Sequence, residues 1–138
     1  MMRIGFLPSD FNPMLLMLGE AEDCRALGGV FRRFARDGAD VVFGDLGFCR
    51  TAGVDVRLTA SPGAPGVEQR DGHAFILRVP SGTAAAFAEQ LDDLAEPNRV
   101  AGSETLDCGT EDGIAVKVSR GEYTDDFLTA GRSDLTSP

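Results

Sequence analysis

The single histidine of the chain, His73, limits the chemistry that the sequence can support. Zinc sites of the HExxH type and iron sites with two histidine ligands both need a second imidazole, so the sequence excludes them. A serine or cysteine nucleophile activated by an imidazole would have to use His73. We prefer a solvent-facing histidine in a turn, and an enzyme that uses His73 is the minor alternative. No catalytic residue is assigned.

The three cysteines, Cys24, Cys49 and Cys108, are odd in number, widely spaced and without a CxxC pair. This pattern predicts free thiols in a reducing compartment, and we therefore expect a cytoplasmic protein. Cys24 lies near a predicted helix start, where the helix dipole favours a thiolate, but the neighbouring Glu20 and Asp23 raise its pKa instead. We expect Cys24 to have a packing role, and we predict no cofactor and no metal site.

Length and charge set the class of protein and exclude several partners. The chain has 138 residues, of which 43% are apolar, and its 22 acidic and 13 basic side chains leave a formal net charge of −9. These values predict one globular domain with its own core. The negative charge repels phosphate backbones, and no apolar run approaches the roughly 20 residues that span a bilayer. We therefore expect neither a nucleic acid nor a membrane as a partner.

Apolar periodicity predicts two helices separated by strands. The first helix runs from about Glu22 to Arg36 and ends near Gly38, and the second follows the start signals at 80–83 and stops by Pro97. The predicted strands cover residues 4–7, 14–18, 40–46, 54–59, 74–79, 99–106 and 114–119. We assign residues 1–128 to a single α+β domain, residues 61–72 to a linker and residues 129–138 to a disordered tail.

Two segments of the chain, 14–59 and 74–119, share one order of elements at a constant offset of 60 residues (74 − 14). We interpret this pattern as an internal duplication, and the alternative is a chance match between two α+β segments. The predicted fold class is α+β, in which a tandem β-α-β-β pseudo-repeat forms one mainly antiparallel sheet with two helices on one face. In such a fold Cys49 and Cys108 would occupy the ends of corresponding loops and could approach each other.

The order strand, helix, strand, strand, used twice, resembles the duplicated modules of regulatory ligand-binding domains of the GyrI-like and haem-binding SOUL types. The resemblance covers most of the chain and implies a small-molecule-binding regulatory domain. Because no residue motif accompanies this order of elements, no site residue is carried over from it.

The two predicted helices differ in charge. The first carries four arginines, and the second carries the acidic residues Glu89, Asp92, Asp93 and Glu96. If the helices lie side by side, some of these side chains form ion pairs between them; otherwise they pair between subunits or face water. Gly28 and Gly29 lie inside the first helix, where close packing of a neighbouring element or a kink would explain them.

Strand alternation places five residues on the sheet face that points away from the helices, namely Leu16, Arg57, Ile76, Arg78 and Lys117. An apolar centre with basic edges and no covering helix needs a cover. We expect a second subunit, in a homodimer, and the alternatives are a protein partner or a small amphipathic anionic ligand. The sequence thus predicts a non-enzymatic binding domain that self-associates, with a small-molecule-binding regulatory domain as the alternative.

Overall fold

The computed structural model describes residues 1–8, 13–108 and 113–121. These residues form two α-helices, α1 (Ala21–Asp37) and α2 (Ser81–Leu94), and a 3-10 helix at Phe43–Asp45. The strands are β1 (Met2–Leu7), β2 (Met14–Gly19), β3 (Val41–Val42), β4 (Cys49–Thr51), β5 (Asp55–Thr59), β6 (Gly66–Gln69), β7 (Ala74–Arg78), β8 (Gly102–Thr105) and β9 (Ala115–Arg120). The chain is therefore an α+β protein, as predicted. The predicted tail, 129–138, lies outside the described residues.

The strands are divided between two mixed sheets, so the expectation of one sheet is wrong. Sheet I has the order β4-β1-β2-β9-β8, and sheet II has the order β3-β5-β7-β6. Helix α1 carries the chain from β2 in sheet I to β3 in sheet II, and α2 carries it from β7 in sheet II to β8 in sheet I. The sequence pattern could not show this, because strand alternation identifies the buried face of a strand but not the strand that pairs with it.

Each sheet combines strands from both halves of the chain. In sheet I, β2 runs parallel to β9, with Leu15 opposite Val116. In sheet II, β5 runs parallel to β7, with Val56 opposite Phe75. The two pairings have the same register after a shift of 60 residues (75 − 15 and 116 − 56). Each sheet thus contains one parallel pair made of a strand from each half, and the two pairs have equivalent registers.

Two short strands occur where the sequence pattern shows none. Strand β6 lies inside the predicted linker and pairs antiparallel with β7, as β1 pairs antiparallel with β2. Strand β4 lies in a predicted loop and adds a parallel edge to β1. These strands are four and three residues long and lack a long apolar alternation, so local periodicity does not reveal them. The sequence also predicts a hairpin turn at Glu111-Asp112-Gly113 before β9, and of this turn residues 111 and 112 lie outside the described ranges.

The ends of α1 follow from local hydrogen bonding. The Asp23 carboxylate accepts the backbone N–H of Glu20 at 2.9 Å, which forms one half of a capping box. At the other end, Gly38 has φ +65° and donates its N–H to the Phe34 carbonyl at 2.8 Å. A left-handed backbone conformation at this position favours glycine. Helix α1 ends at Asp37, which confirms the predicted end near Gly38.

The two helices pack against each other at a close crossing. A Cβ at Gly28 would lie 3.1 Å from Asp92 Oδ1 and 3.4 Å from the Ala88 carbonyl oxygen, so close packing explains this glycine. Arg32 of α1 forms an ion pair with Asp92 of α2, which confirms for this pair the ion pairing predicted between side-by-side helices. Beside this contact the Phe31 and Phe87 rings meet edge to face, with centroids 5.5 Å apart.

One core joins the inner faces of both sheets and both helices. Across it, the Phe6 ring of β1 packs against the Phe75 ring of β7, with centroids 4.8 Å apart. A second, smaller apolar cluster lies on the other face of sheet I, around the buried Leu16 and Leu18. Neither α-helix in the described part of the chain combines the length and apolarity that a membrane span requires.

Candidate functional site

The structure divides the five predicted surface residues between the two sheets. Leu16 and Lys117 are cross-strand neighbours in sheet I, and Ile76 and Arg57 are cross-strand neighbours in sheet II. Arg78 lies two residues beyond Ile76 on β7. All five lie on the outer faces, because the residues of opposite parity in these strands belong to the core. The predicted alternation is correct, but the single surface expected to hold all five residues does not form.

The apolar centre of the expected surface is not open to solvent. Leu16 is fully buried, and Ile76 is half-buried. Among the described residues, the exposed large hydrophobic side chains are Met1 and Val100, and neither belongs to this surface. An uncovered apolar patch therefore does not supply a reason for self-association in the part of the chain that is described.

Arg78 is a mostly buried cation on the outer face of sheet II. Its side chain is 15% exposed, and its Nη1 donates to Glu68 Oε1 at 2.6 Å. Its Nε is buried and has no hydrogen-bond partner in the part of the chain that the structure describes. A buried donor without an acceptor is uncommon, since the loss of hydration is not compensated. Arg78 is thus a residue of this face whose buried N–H group lacks an acceptor.

Glu68 holds Arg78 from the neighbouring strand. Its second oxygen, Oε2, pairs with Arg70, so one carboxylate bridges two guanidinium groups. The hydrogen bond from Arg78, with the charges of both arginines, lowers the pKa of Glu68 below its usual value. The cluster of Glu68, Arg70 and Arg78, with one carboxylate and two guanidinium groups, keeps one excess positive charge.

The linker lies across the guanidinium group of Arg78. Gly63 has φ +149°, which L residues rarely adopt, and a Cβ there would lie 2.7 Å from Arg78 Nε, so a larger residue would strain the backbone and displace Arg78. The start of the linker is held by Thr59, whose hydroxyl donates to Asp40 Oδ1 at 2.7 Å and accepts the N–H of Ser61 at 3.1 Å. The segment predicted as a linker therefore belongs to the site.

Two clefts meet at Arg78. The first has a volume of about 360 Å³ and separates the linker from the start of α2; its lining includes Thr59, Ser61, Pro62, Pro65, Arg78, Pro80 and Ser81. The second has a volume of about 420 Å³ and is lined by residues 63–68, Arg78 and Gly113. Both volumes fall at the lower end of the roughly 300–1,000 Å³ found for small-molecule sites. Sequence reasoning identified Arg78 but missed Gly63, Glu68 and Ser81.

The start of α2 supplies a second positive feature to the first cleft. The residue before the helix is Pro80, which makes no side-chain cap, and the first turn contains no acidic residue. The first backbone N–H groups of a helix have no partner within it and form the positive end of the helix dipole. Ser81, at the first helical position, lines the cleft directly.

His73 lies in a turn at the other end of β7. The Asp71 carboxylate accepts the backbone N–H groups of His73 and Ala74 at 2.7 and 2.8 Å, and these bonds lower the pKa of Asp71. The His73 side chain is exposed, and within the described residues its ring makes no hydrogen bond. This placement agrees with a turn histidine.

Of the three free cysteines, Cys24 and Cys49 are buried and Cys108 is half-buried. Burial raises the pKa of Cys24, Cys49 and Cys108 to about 11 each, and the Asp23 charge adds to the shift at Cys24, as predicted. Cys49 lies in β4 at one edge of sheet I, whereas Cys108 follows β8 at the opposite edge, so the two do not meet. Within the described ranges, no group of three His, Cys, Asp or Glu side chains converges as metal ligands would.

Neither a family model nor a curated protein nor a solved structure matches the chain. The resemblance in the order of elements therefore stays an expectation, and the geometry around Arg78 is the basis for a functional hypothesis.

Proposed function

We propose that this chain is a non-enzymatic binding domain whose ligand site is the pair of clefts around Arg78, and that the ligand is a small amphipathic anion. The observation that carries the proposal is the buried Arg78 Nε without an acceptor, in a side chain that lines both clefts. A ligand oxygen would provide the missing acceptor. Among the described residues that line these clefts there is no imidazole or thiol to act as a base or a nucleophile, which favours binding over catalysis.

Charge supports an anion as the ligand. The chain as a whole has a formal net charge of −9, which repels anions from most of its surface. At the site, Arg70 and Arg78 outnumber Glu68, and the positive end of α2 faces the same cleft. The positive charge at the site therefore attracts an anion that the negative charge of the rest of the surface repels. An anion should bind at this site rather than elsewhere on the surface.

An internal duplication would give the binding face a matched reference face in the same chain. We propose that the halves of the chain derive from one ancestral unit, since the parallel pairs of the two sheets share their register. A duplicated fold offers two equivalent outer faces, and the clefts that meet at a buried arginine lie on the face of sheet II. The sheet I face serves as an internal reference for any binding measurement.

The proposal is tested by titrating the isotope-labelled chain with a panel of small organic anions, each matched by a neutral amide or alcohol of the same shape. We expect saturable amide shifts at residues 61–66 and 76–82 with anions and weaker shifts with the neutral analogues. Saturable shifts confined to sheet I, or none with any anion beyond the effect of added salt, would overturn it. The variant His73→Ala should bind the same anions unchanged, whereas an enzyme that uses His73 would lose turnover.

A further inference from the structure

We infer that the first cleft binds a small carboxylic acid, with its carboxylate on the Nε–Nη2 edge of Arg78 and its apolar part against the proline walls. This inference rests on the proposed function and adds the class and the orientation of the ligand. Four features of the cleft carry it: the unused edge of the guanidinium group, the position of the linker, the opposite wall and the local charge.

The unused edge of Arg78 matches a carboxylate. Glu68 accepts a hydrogen bond from Nη1, Nε has no partner, and no further hydrogen bond of the Arg78 side chain occurs among the described residues. The N–H groups of Nε and Nη2 point in parallel, at a spacing that suits the two oxygens of one carboxylate. A bidentate ligand on this edge would satisfy the buried Nε and leave the Glu68 contact intact.

The linker packs on the flat face of the guanidinium group and closes Nε off from solvent, so a carboxylate reaches this edge when the linker shifts. A Cβ at Gly63 would lie 2.7 Å from Nε, 2.9 Å from Cδ and 3.2 Å from Cζ of Arg78. An atom in line with the Nε–H bond would be much nearer to Nε than to the two carbons, whereas one above the plane is nearly equidistant from all three. Gly63 therefore packs on the face of the group and does not occupy the position in line with the Nε–H bond, where an acceptor would lie.

The opposite wall of the cleft adds a donor and an apolar surface. Ser81 lines the cleft at the positive end of α2, where its hydroxyl and backbone N–H have no partner in the described structure. Three prolines, Pro62, Pro65 and Pro80, also line the cleft and offer apolar contact without a backbone N–H donor, beside the polar Thr59 and Ser61. A compact apolar group attached to the carboxylate fits such a wall better than a polar chain does.

The charge of the cluster favours a monoanion. One carboxylate neutralises the single excess positive charge of Glu68, Arg70 and Arg78. A phosphate monoester carries about −1.5 to −2 at neutral pH and would leave excess negative charge in a protein whose formal net charge is already −9. We therefore commit to a carboxylate and treat phosphate as a competing outcome.

The test is a titration of the full chain, labelled with nitrogen-15, with benzoate. Three matched probes each change one feature. Acetate keeps the carboxylate but lacks the aromatic ring, and benzamide keeps the ring but lacks the charge. Inorganic phosphate replaces the carboxylate by a different oxyanion. We expect benzoate to shift the Arg78 Nε–H signal and the Ser81 amide signal saturably, and to bind at least about tenfold more tightly than each of the other three probes.

Two variants separate a bidentate contact from simple charge attraction. Arg78→Lys keeps the positive charge but removes the two parallel N–H groups of the guanidinium group. It should weaken benzoate binding at least about tenfold. Arg36→Lys makes the same exchange at an exposed position on α1 and should leave binding unchanged. The Nε–H shift of the native chain reports the contact directly, so the inference stays testable if Arg78→Lys does not fold.

Each failure has a distinct meaning. Equal binding of benzoate by Arg78→Lys, an unshifted Nε–H signal or no saturable binding of benzoate overturns the carboxylate inference. Phosphate that binds as tightly as benzoate overturns the choice of a carboxylate but supports an anion site at sheet II. The proposed function itself fails when no anion of the wider panel saturates this face.

Discussion

Arg78 in sheet II occupies the position that Leu18 occupies in sheet I. Leu18 lies opposite Ser119, and Arg78 lies opposite Thr59, again with a shift of 60 residues (78 − 18 and 119 − 59). Leu18 packs in the small apolar cluster of its face, whereas Arg78 carries a charge that is mostly buried. The architecture therefore accepts an apolar residue at this position, and a buried cation there is not a requirement of the fold.

The first prediction follows from this equivalence. Arg78→Leu should fold with an unchanged far-ultraviolet circular dichroism spectrum and should lose anion binding, because leucine is the residue that the equivalent position already holds. Chemical denaturation and the anion titration check the two halves of the prediction. A variant that folds and still binds would remove Arg78 from the site, whereas Glu68→Gln provides a control that removes the ion pair but keeps the guanidinium group.

The second prediction concerns acid stability. The pKa of Glu68 is lowered in the folded chain, so the native state binds its proton more weakly than the unfolded state does. The Glu68–Arg78 contact should therefore stabilise the fold fully above the ordinary value of 4.5, and this contribution should fade as the pH falls through the lower folded pKa. Urea midpoints of the native chain and Glu68→Gln should differ at neutral pH and converge in acid. A difference that grows in acid would contradict the prediction.

The third prediction uses two adjacent glycines of α1 as a matched pair. A Cβ at Gly29 meets no atom within 4 Å, so Gly29→Ala should stabilise the fold by about 0.5–1 kcal/mol through helix propensity alone. A Cβ at Gly28 meets the Ala88 carbonyl oxygen at 3.4 Å and Asp92 Oδ1 at 3.1 Å. Gly28→Ala should therefore be less stable than Gly29→Ala, by about 1 kcal/mol or more. Equal stabilities in urea denaturation would show that the helix crossing is not tight.

The fourth prediction tests the pairing of strands between the two halves of the chain. Because β2 pairs with β9 and β5 with β7, a chain divided inside the linker leaves each half without its central partner strand. Fragments 1–62 and 63–138 should each lack a cooperative unfolding transition, and their mixture should recover the native circular dichroism and one transition. If either fragment unfolds cooperatively when alone, the halves are independent.

The fifth prediction concerns the homodimer expected from sequence. Arg57 is exposed on the outer face of sheet II, so Arg57→Glu tests that face without disturbing a buried group. Arg78→Glu is a poorer test, because it would place a second carboxylate beside Glu68. Sedimentation should show that Arg57→Glu reduces dimerisation if this face mediates it. An unchanged dimer would assign the contact to another surface, and a monomeric native chain would refute self-association.

Strand parity and helix bounds were predictable from the sequence because they depend on neighbours along the chain. The position of Arg78 on an outer face follows from the apolar residues that flank it, Leu77 and Val79, which are both buried. The rest of the site was not predictable. Glu68 and Gly63 lie in a segment rich in glycine and proline, where no periodicity marks a strand or a contact with Arg78.

The amino-acid sequence by itself determined the α+β class, the helix that ends at Gly38 and the buried faces of the main strands. Tertiary structure alone decided that the strands form two sheets and that the linker closes over Arg78. The physical reason is that apolar periodicity records which side of each strand avoids water, whereas strand pairing depends on where each helix returns the chain.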